Sequence, residues 1–179
     1  MLKIKLRPIE RENLGLLRDW RNDPEIMQRT RQWRELTMED QERWFASLHQ
    51  GKWPENIMWM MVVFSENTTV LVGACGLCHI DWIGRSAELS IYVGAKEWRR
   101  KGVAIKAIDL LKQIAFERLN LDNIWAEVYD FNTINAALLI KCGFIVNGTR
   151  TLSVYKNGQY WGSHFYLSCK EDLRQNVDL

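Results

Sequence analysis

Arg99, Arg100, Lys101 and Gly102 stand between a strand-like run at 87–93 and a helix-like run at 103–119. Basic side chains and a glycine at a strand-to-helix turn suit a pyrophosphate. Free N–H groups at a helix start point at an anion, and the helix dipole adds attraction. Gly102 has no Cβ, so the backbone there can come close to a ligand. Basic tripeptides beside a glycine are also common on solvated surfaces, so the surrounding elements must carry the assignment.

Those elements follow from periodicity. The segment 4–6 alternates as a short strand and stops at Pro8, and apolar residues at 14, 16, 17 and 20 have helical spacing. Asn22-Asp23-Pro24 breaks that helix. Thr37 and Asp40 are spaced as a capping box, which predicts a helix to about Leu48 with Gly51 as its stop. Strands follow at 57–64, 70–80 and 88–93, separated by turns at 66–68 and 81–85. After the basic turn come a helix over 103–119, a strand at 124–129 and a short helix over 132–141 ended by Gly143. Runs at 151–155 and 160–167 flank Asn157-Gly158, the dipeptide of a tight hairpin turn. This order predicts an α+β fold, a mostly antiparallel sheet flanked by helices.

A chain of 179 residues is the size of one domain, and its net charge of +2 argues against a nucleic-acid-coating face. No apolar run reaches the length of a membrane span, and the N-terminus lacks a signal-like apolar region, so a cytoplasmic site is expected. Four cysteines form no disulfide framework. Cys75 and Cys78 lie in a strand-like run, where positions three apart face opposite ways, so small buried thiols are expected rather than a metal or redox pair. No metal site is expected, and His79 is read as a pocket residue. Nine tryptophans exceed what a core of this size needs, so two or three of Trp20, Trp33, Trp44 and Trp82 are expected to line a pocket.

With its elements in order, the chain resembles the GNAT acetyltransferases from about 4 to 173, leaving 174–179 as a frayed tail of a single domain. The residues that carry the resemblance are Arg99-x-x-Gly102-x-Ala104 and Asn132-Thr133-Ile134-Asn135 followed by Lys141-Cys142-Gly143-Phe144. The third is the hairpin Tyr155-Lys156-Asn157-Gly158, similar to that of the ribosomal-protein N-terminal acetyltransferase subgroup. Trp20-Arg21-Asn22 and the run 37–44 resemble the acetyltransferases that act on nucleotide-linked amino sugars of flagellar pseudaminic-acid synthesis.

The resemblance implies a sheet splayed between its fourth and fifth strands, and acetyl-CoA as the acetyl donor. It implies that Ile91, Tyr92 and Val93 offer a backbone edge to the pantetheine arm and hold the developing oxyanion. Arg99, Arg100, Lys101, Gly102, Val103 and Ala104 would seat the pyrophosphate, and Asn132 would bond the CoA arm. Glu88 is the first candidate for the base that frees the attacking amine through water, and Glu127 the second. Many relatives carry a tyrosine where this chain has Leu139, so the thiolate takes its proton from Tyr129 or Tyr92, or leaves unaided. Direct transfer through a tetrahedral intermediate follows.

For the acceptor, Arg18, Arg21, Arg29, Arg31 and Arg34 make the early segment basic. That favours an anionic small-molecule amine, an amino sugar on a nucleotide, held by Arg21, Asn22, Trp33, Trp44 and His79. The alternatives are a protein N-terminus, a polyamine, or a CoA-binding module without catalysis. No nucleic acid or membrane partner is expected, and the chain is compatible with a homodimer.

Overall fold

The computed structural model describes residues 3–65 and 68–170. The turn expected at 66–68 and the tail at 174–179 therefore lie wholly or mostly outside the described residues.

Strand β1 (Lys3–Pro8) leads through a 3-10 turn into α1 (Leu14–Arg21), α2 (Pro24–Met27) and α3 (Met38–Ser47). Strands β2 (Ile57–Ser65), β3 (Thr68–Asp81) and β4 (Ser86–Val93) follow. Then come α4 (Val103–Gln113), extended by a π-helical turn, β5 (Asn123–Tyr129), α5 (Thr133–Lys141), β6 (Ile145–Lys156) and β7 (Gln159–Cys169). One seven-stranded sheet has the order β1-β2-β3-β4-β5-β7-β6. All neighbouring pairs are antiparallel except β4 with β5, which run parallel. None of the helices among the described residues is long and apolar enough to cross a membrane.

Strand β2 is apolar at consecutive positions because both faces of the sheet are covered. Met61 and Val63 join the core under α4, with Ala107, Ile108 and Leu111. Met60 and Val62 join a second core under α1, with Leu14 and Leu17. At full burial each such side chain contributes roughly 1.5–3 kcal/mol.

The capping box is present: Thr37 Oγ1 accepts from the Asp40 N–H at 3.1 Å, and Asp40 Oδ2 accepts from the Thr37 N–H at 2.9 Å. Asn157 and Gly158 both take positive φ, 53° and 82°, as the hairpin's tight turn requires. The break at Asn22-Asp23-Pro24 is present, since α1 ends at Arg21, and Pro24 also starts α2, with Asp23 as its cap accepting from Glu25 N at 3.0 Å. One reading changes. Strand β6 begins at Ile145 rather than near 151, because register shifts at Val146/Thr149 and Arg150/Val154 break its alternation.

Candidate active site

Strands β4 and β5 stay in register only from Ser86–Asn123 to Glu88–Trp125. Beyond Glu88, β4 keeps β3 on one side but no longer pairs with β5 on the other. The backbone edge of Ile91, Tyr92 and Val93 therefore faces a cleft. Their side chains are half-buried and pack inward, Ile91 and Val93 on the core under α4 and Tyr92 on the core under α1.

The end of β4 turns toward α4. Arg100 and Gly102 take positive φ, 61° and 81°, and Gly102 caps α4 without any side-chain cap bond. The first helical bond runs from Lys106 N to Gly102 O at 3.2 Å, so the N–H groups of the first turn lack intrahelical acceptors. A Cβ built on Gly102 would meet nothing within 4 Å, so the space over this helix start is open. Arg100 and Lys101 are exposed, with Lys101 Nζ 5.2 Å from the Trp98 ring centre, while Val103 is buried and Ala104 half-buried. These features fit an extended donor arm ending in a pyrophosphate.

Arg99 is placed differently from the expectation. Its guanidinium donates to the carbonyls of Val93 and Gly94 and to Asp23 Oδ2, each at 3.0 Å, and pairs with Glu25. It ties α2 to the end of β4, and its charge is taken up inside the protein. Asn132 likewise faces the chain: its Nδ2 donates to Arg29 O at 3.3 Å.

Below the cleft lie two nearly buried carboxylates. Along β5, Ile124, Ala126 and Val128 are buried toward α4, which leaves Glu127 and Tyr129 on the opposite face. The Glu88 and Glu127 side chains are 11% and 7% exposed. Arg31 joins them. Its Nη2 donates to Glu88 Oε1 at 2.8 Å and to Glu127 Oε2 at 2.9 Å, and its Nη1 to Glu88 Oε2 at 3.2 Å. Arg31 also meets the Tyr129 side chain.

Glu127 accepts in addition from Ser163 Oγ at 2.6 Å, Ser153 Oγ at 2.9 Å and Arg150 Nη1 at 3.4 Å. Burial works against its charge, but these hydroxyls, Arg31 and Arg150 outweigh burial and hold its carboxyl below the ordinary range. Glu88 has no hydroxyl donor among the described residues; its further neighbour is His79, whose Nε2 lies 3.5 Å from Oε2. His79 takes φ 48° where β3 shifts register between Cys78 and Asp81, and that irregularity turns it toward Glu88.

The other expected acceptor residues do not converge here. Asn22 holds the loop before α3, donating to Leu36 O at 2.9 Å and accepting from Leu36 N at 2.8 Å. Arg21 donates to Gln32 Oε1 at 3.1 Å and lies over the Tyr92 ring. Trp33 is 84% exposed, beside Arg34. Trp44 packs on the core under α1, Trp20 packs against Gly94, and Trp82 donates to Pro54 O at 3.0 Å. The tryptophans are scattered over the fold and form no shared pocket wall.

The basic segment is also largely neutralised. Arg18 pairs with Asp19, Arg34 with Asp40, and Arg31 with Glu88 and Glu127. Leu139 is fully buried in the core under α4, so no proton donor stands at that position. Cys75 is buried as expected, Cys78 only partly, and burial pushes the Cys78 thiol up to about 11. Arg31, read from the sequence only as part of a basic segment that favours an anionic acceptor, has two carboxylates as its partners.

Comparison with known proteins agrees with this geometry. The chain is 29% identical over 158 residues to a spermidine N(1)-acetyltransferase of Vibrio cholerae, covering 88% of each. It is 29% identical over 165 residues to the Escherichia coli K12 spermidine N(1)-acetyltransferase, covering 88% of this chain and 81% of that one. A crystal structure of the Vibrio cholerae spermidine N-acetyltransferase with CoA and spermine superposes with a TM-score of 0.80 at 26% identity, covering 93% and 95% of the two chains. These relatives lend no support to the resemblance to amino-sugar enzymes or to an anionic acceptor. The Acetyltransferase (GNAT) domain family model matches residues 3–145. With the β4–β5 splay and the uncapped start of α4, that match makes the chain a member of the GNAT acetyltransferase family, an N-acetyltransferase that uses acetyl-CoA.

Proposed function

We propose that this enzyme acetylates a primary amine of a small polycation, a polyamine of the spermidine type. One observation carries the reading. Two nearly buried carboxylates, Glu88 and Glu127, converge on a single cationic nitrogen beside the splay of β4 and β5. A site with that charge attracts an ammonium and repels a nucleotide diphosphate. The polyamine relatives point the same way.

The two glutamates have different roles. Glu127, held ionised by its serines and arginines, binds the ammonium and stays charged. Glu88, with fewer donors and with His79 leading to solvent, takes the proton that the amine must lose before it attacks. Bound acetyl-CoA supplies an activated acetyl thioester. The β4 edge at Ile91, Tyr92 and Val93 presents N–H groups to its arm and to the charge that develops on the carbonyl oxygen. Arg100, Lys101 and the first turn of α4 from Gly102 to Ala104 hold its pyrophosphate. Tyr129, on the cleft face of β5, returns a proton to the leaving thiolate in place of the buried Leu139.

The test is CoA release from acetyl-CoA with spermidine, spermine, a nucleotide amino sugar and a peptide N-terminus as acceptors. Spermidine and spermine are expected to turn over at least 100-fold more efficiently than the others, as two matched charges can discriminate. Preferred turnover of the nucleotide sugar overturns the reading. Tight CoA binding with no turnover of any amine leaves a binding module.

A further inference from the structure

Arg31 belongs to the stretch between α2 and α3, not to the strands that carry both glutamates. The chain around it is pinned. Lys156 Nζ donates to Met27 O and Thr30 O at 3.1 and 3.2 Å. Asn132 Nδ2 holds Arg29 O, and Asn22 holds Leu36. The Arg31 side chain itself is half exposed, so its guanidinium can leave the glutamates by rotating its own side-chain torsions, without unfolding the loop. The same nitrogen that meets both carboxylates stands where the proposed acceptor's ammonium must stand.

We propose that Arg31 is a built-in competitor for the acceptor amine. Its guanidinium fills the ammonium seat between Glu88 and Glu127 in the free enzyme, and an amine binds by displacing it. This rests on the reading of that pair as the ammonium seat. The seat is never empty and repelling, since two carboxylates without a cation would oppose each other. The consequence is a common penalty. Every amine's affinity is reduced by the fraction of molecules in which the seat is free, and by the same factor whatever the amine. A tethered group competes at an effective concentration in the millimolar range. Weakly held monoamines are thereby excluded, while a polycation with contacts beyond the seat still binds.

The test measures dissociation constants of spermidine and of propylamine by calorimetry, without acetyl-CoA, on the full chain and its variants. Arg31→Gln is expected to bind both amines about tenfold more tightly, with gains that agree within about twofold, because the displaced competitor is common to both. Arg31→Lys, which keeps a tethered cation, is expected within about threefold of the parent chain. Lys156→Met loosens the loop without touching the seat and is expected to give a smaller gain in the same direction, which keeps the test usable should Arg31→Gln not fold. Unchanged or weaker amine binding in Arg31→Gln, or in Lys156→Met if that variant alone folds, overturns the proposal. Spermidine turnover by the parent without these gains would remove only the competitor role. Tighter amine binding in Arg31→Gln with no polyamine turnover would remove the acceptor reading and keep the competitor.

Discussion

At the scale of single residues, the surroundings of Glu88 and Glu127 separate two carboxylates that look alike in sequence. Glu127 accepts from two serine hydroxyls and two guanidinium groups, and Glu88 from Arg31, with His79 adjacent. A carboxylate so fully supplied with donors is a weak base and a good anchor. The expected kinetics differ accordingly. Glu88→Gln should lower kcat by about 100-fold, the usual contribution of a positioned base, with a smaller change in KM for the amine. Glu127→Gln should raise KM for the amine by about tenfold or more and affect kcat less. Tyr129→Phe should lower kcat by about tenfold and leave the KM for both substrates near the parent's, the mark of a proton donor to the leaving group. Steady-state CoA release against both substrates reads all three. A Glu88→Gln enzyme with the parent's kcat across the pH range would take Glu88 out of the chemistry.

At the scale of elements, the turn into α4 has the open, uncapped helix start that its sequence predicts, with its charges placed differently. The backbone needs Gly102 for its φ of 81°, and no neighbour crowds the position. The helix start has no side-chain cap, which leaves its N–H groups for a ligand. Arg99 was expected to add charge there, but it is bound to Asp23, Glu25 and two carbonyls. Gly102→Ala should therefore act through strain and through its new methyl group at the open helix start. It is expected to cost about 1 kcal/mol of stability, the ordinary penalty for a Cβ at positive φ. It should also raise KM for acetyl-CoA by about tenfold while KM for the amine stays within about twofold. Equal KM increases for both substrates would mean a general loosening of the fold rather than a disturbed phosphate seat.

At the scale of the whole molecule, what was legible in the sequence was local. The apolar run of β2, the Thr37–Asp40 box, the Asn157-Gly158 turn and the Gly102 helix start each declare themselves within a few residues. Pairings between distant residues left no such trace. Arg31 meets Glu88 and Glu127 across 57 and 96 positions, and no periodicity links them. A basic segment thus read as an anion site when the fold matches Arg18, Arg31 and Arg34 to carboxylates. Arg99 repeats the pattern at the end of β4, reaching Asp23 across 76 positions. The side chains of Arg99 and Asp23 are 20% and 12% exposed, so their pairing offsets part of the hydration each loses. Burial would raise the Asp23 carboxyl, but the Glu25 N–H, Arg99 and Lys96 outweigh it and hold it below its ordinary value. A carboxyl lowered in the folded chain contributes its full stability above the unfolded value and loses it as pH falls through the folded one. Arg99→Met is therefore expected to cost about 2 kcal/mol in urea unfolding at pH 7, discounted from a fully buried pair because Lys96 remains. The difference from the parent chain should shrink as pH is lowered below about 4, where Asp23 begins to take up its proton. A penalty that stays constant down to pH 3 would mean that Arg99 stabilises the fold by packing its stem and by its carbonyl bonds, and that its charge pair with α2 is incidental.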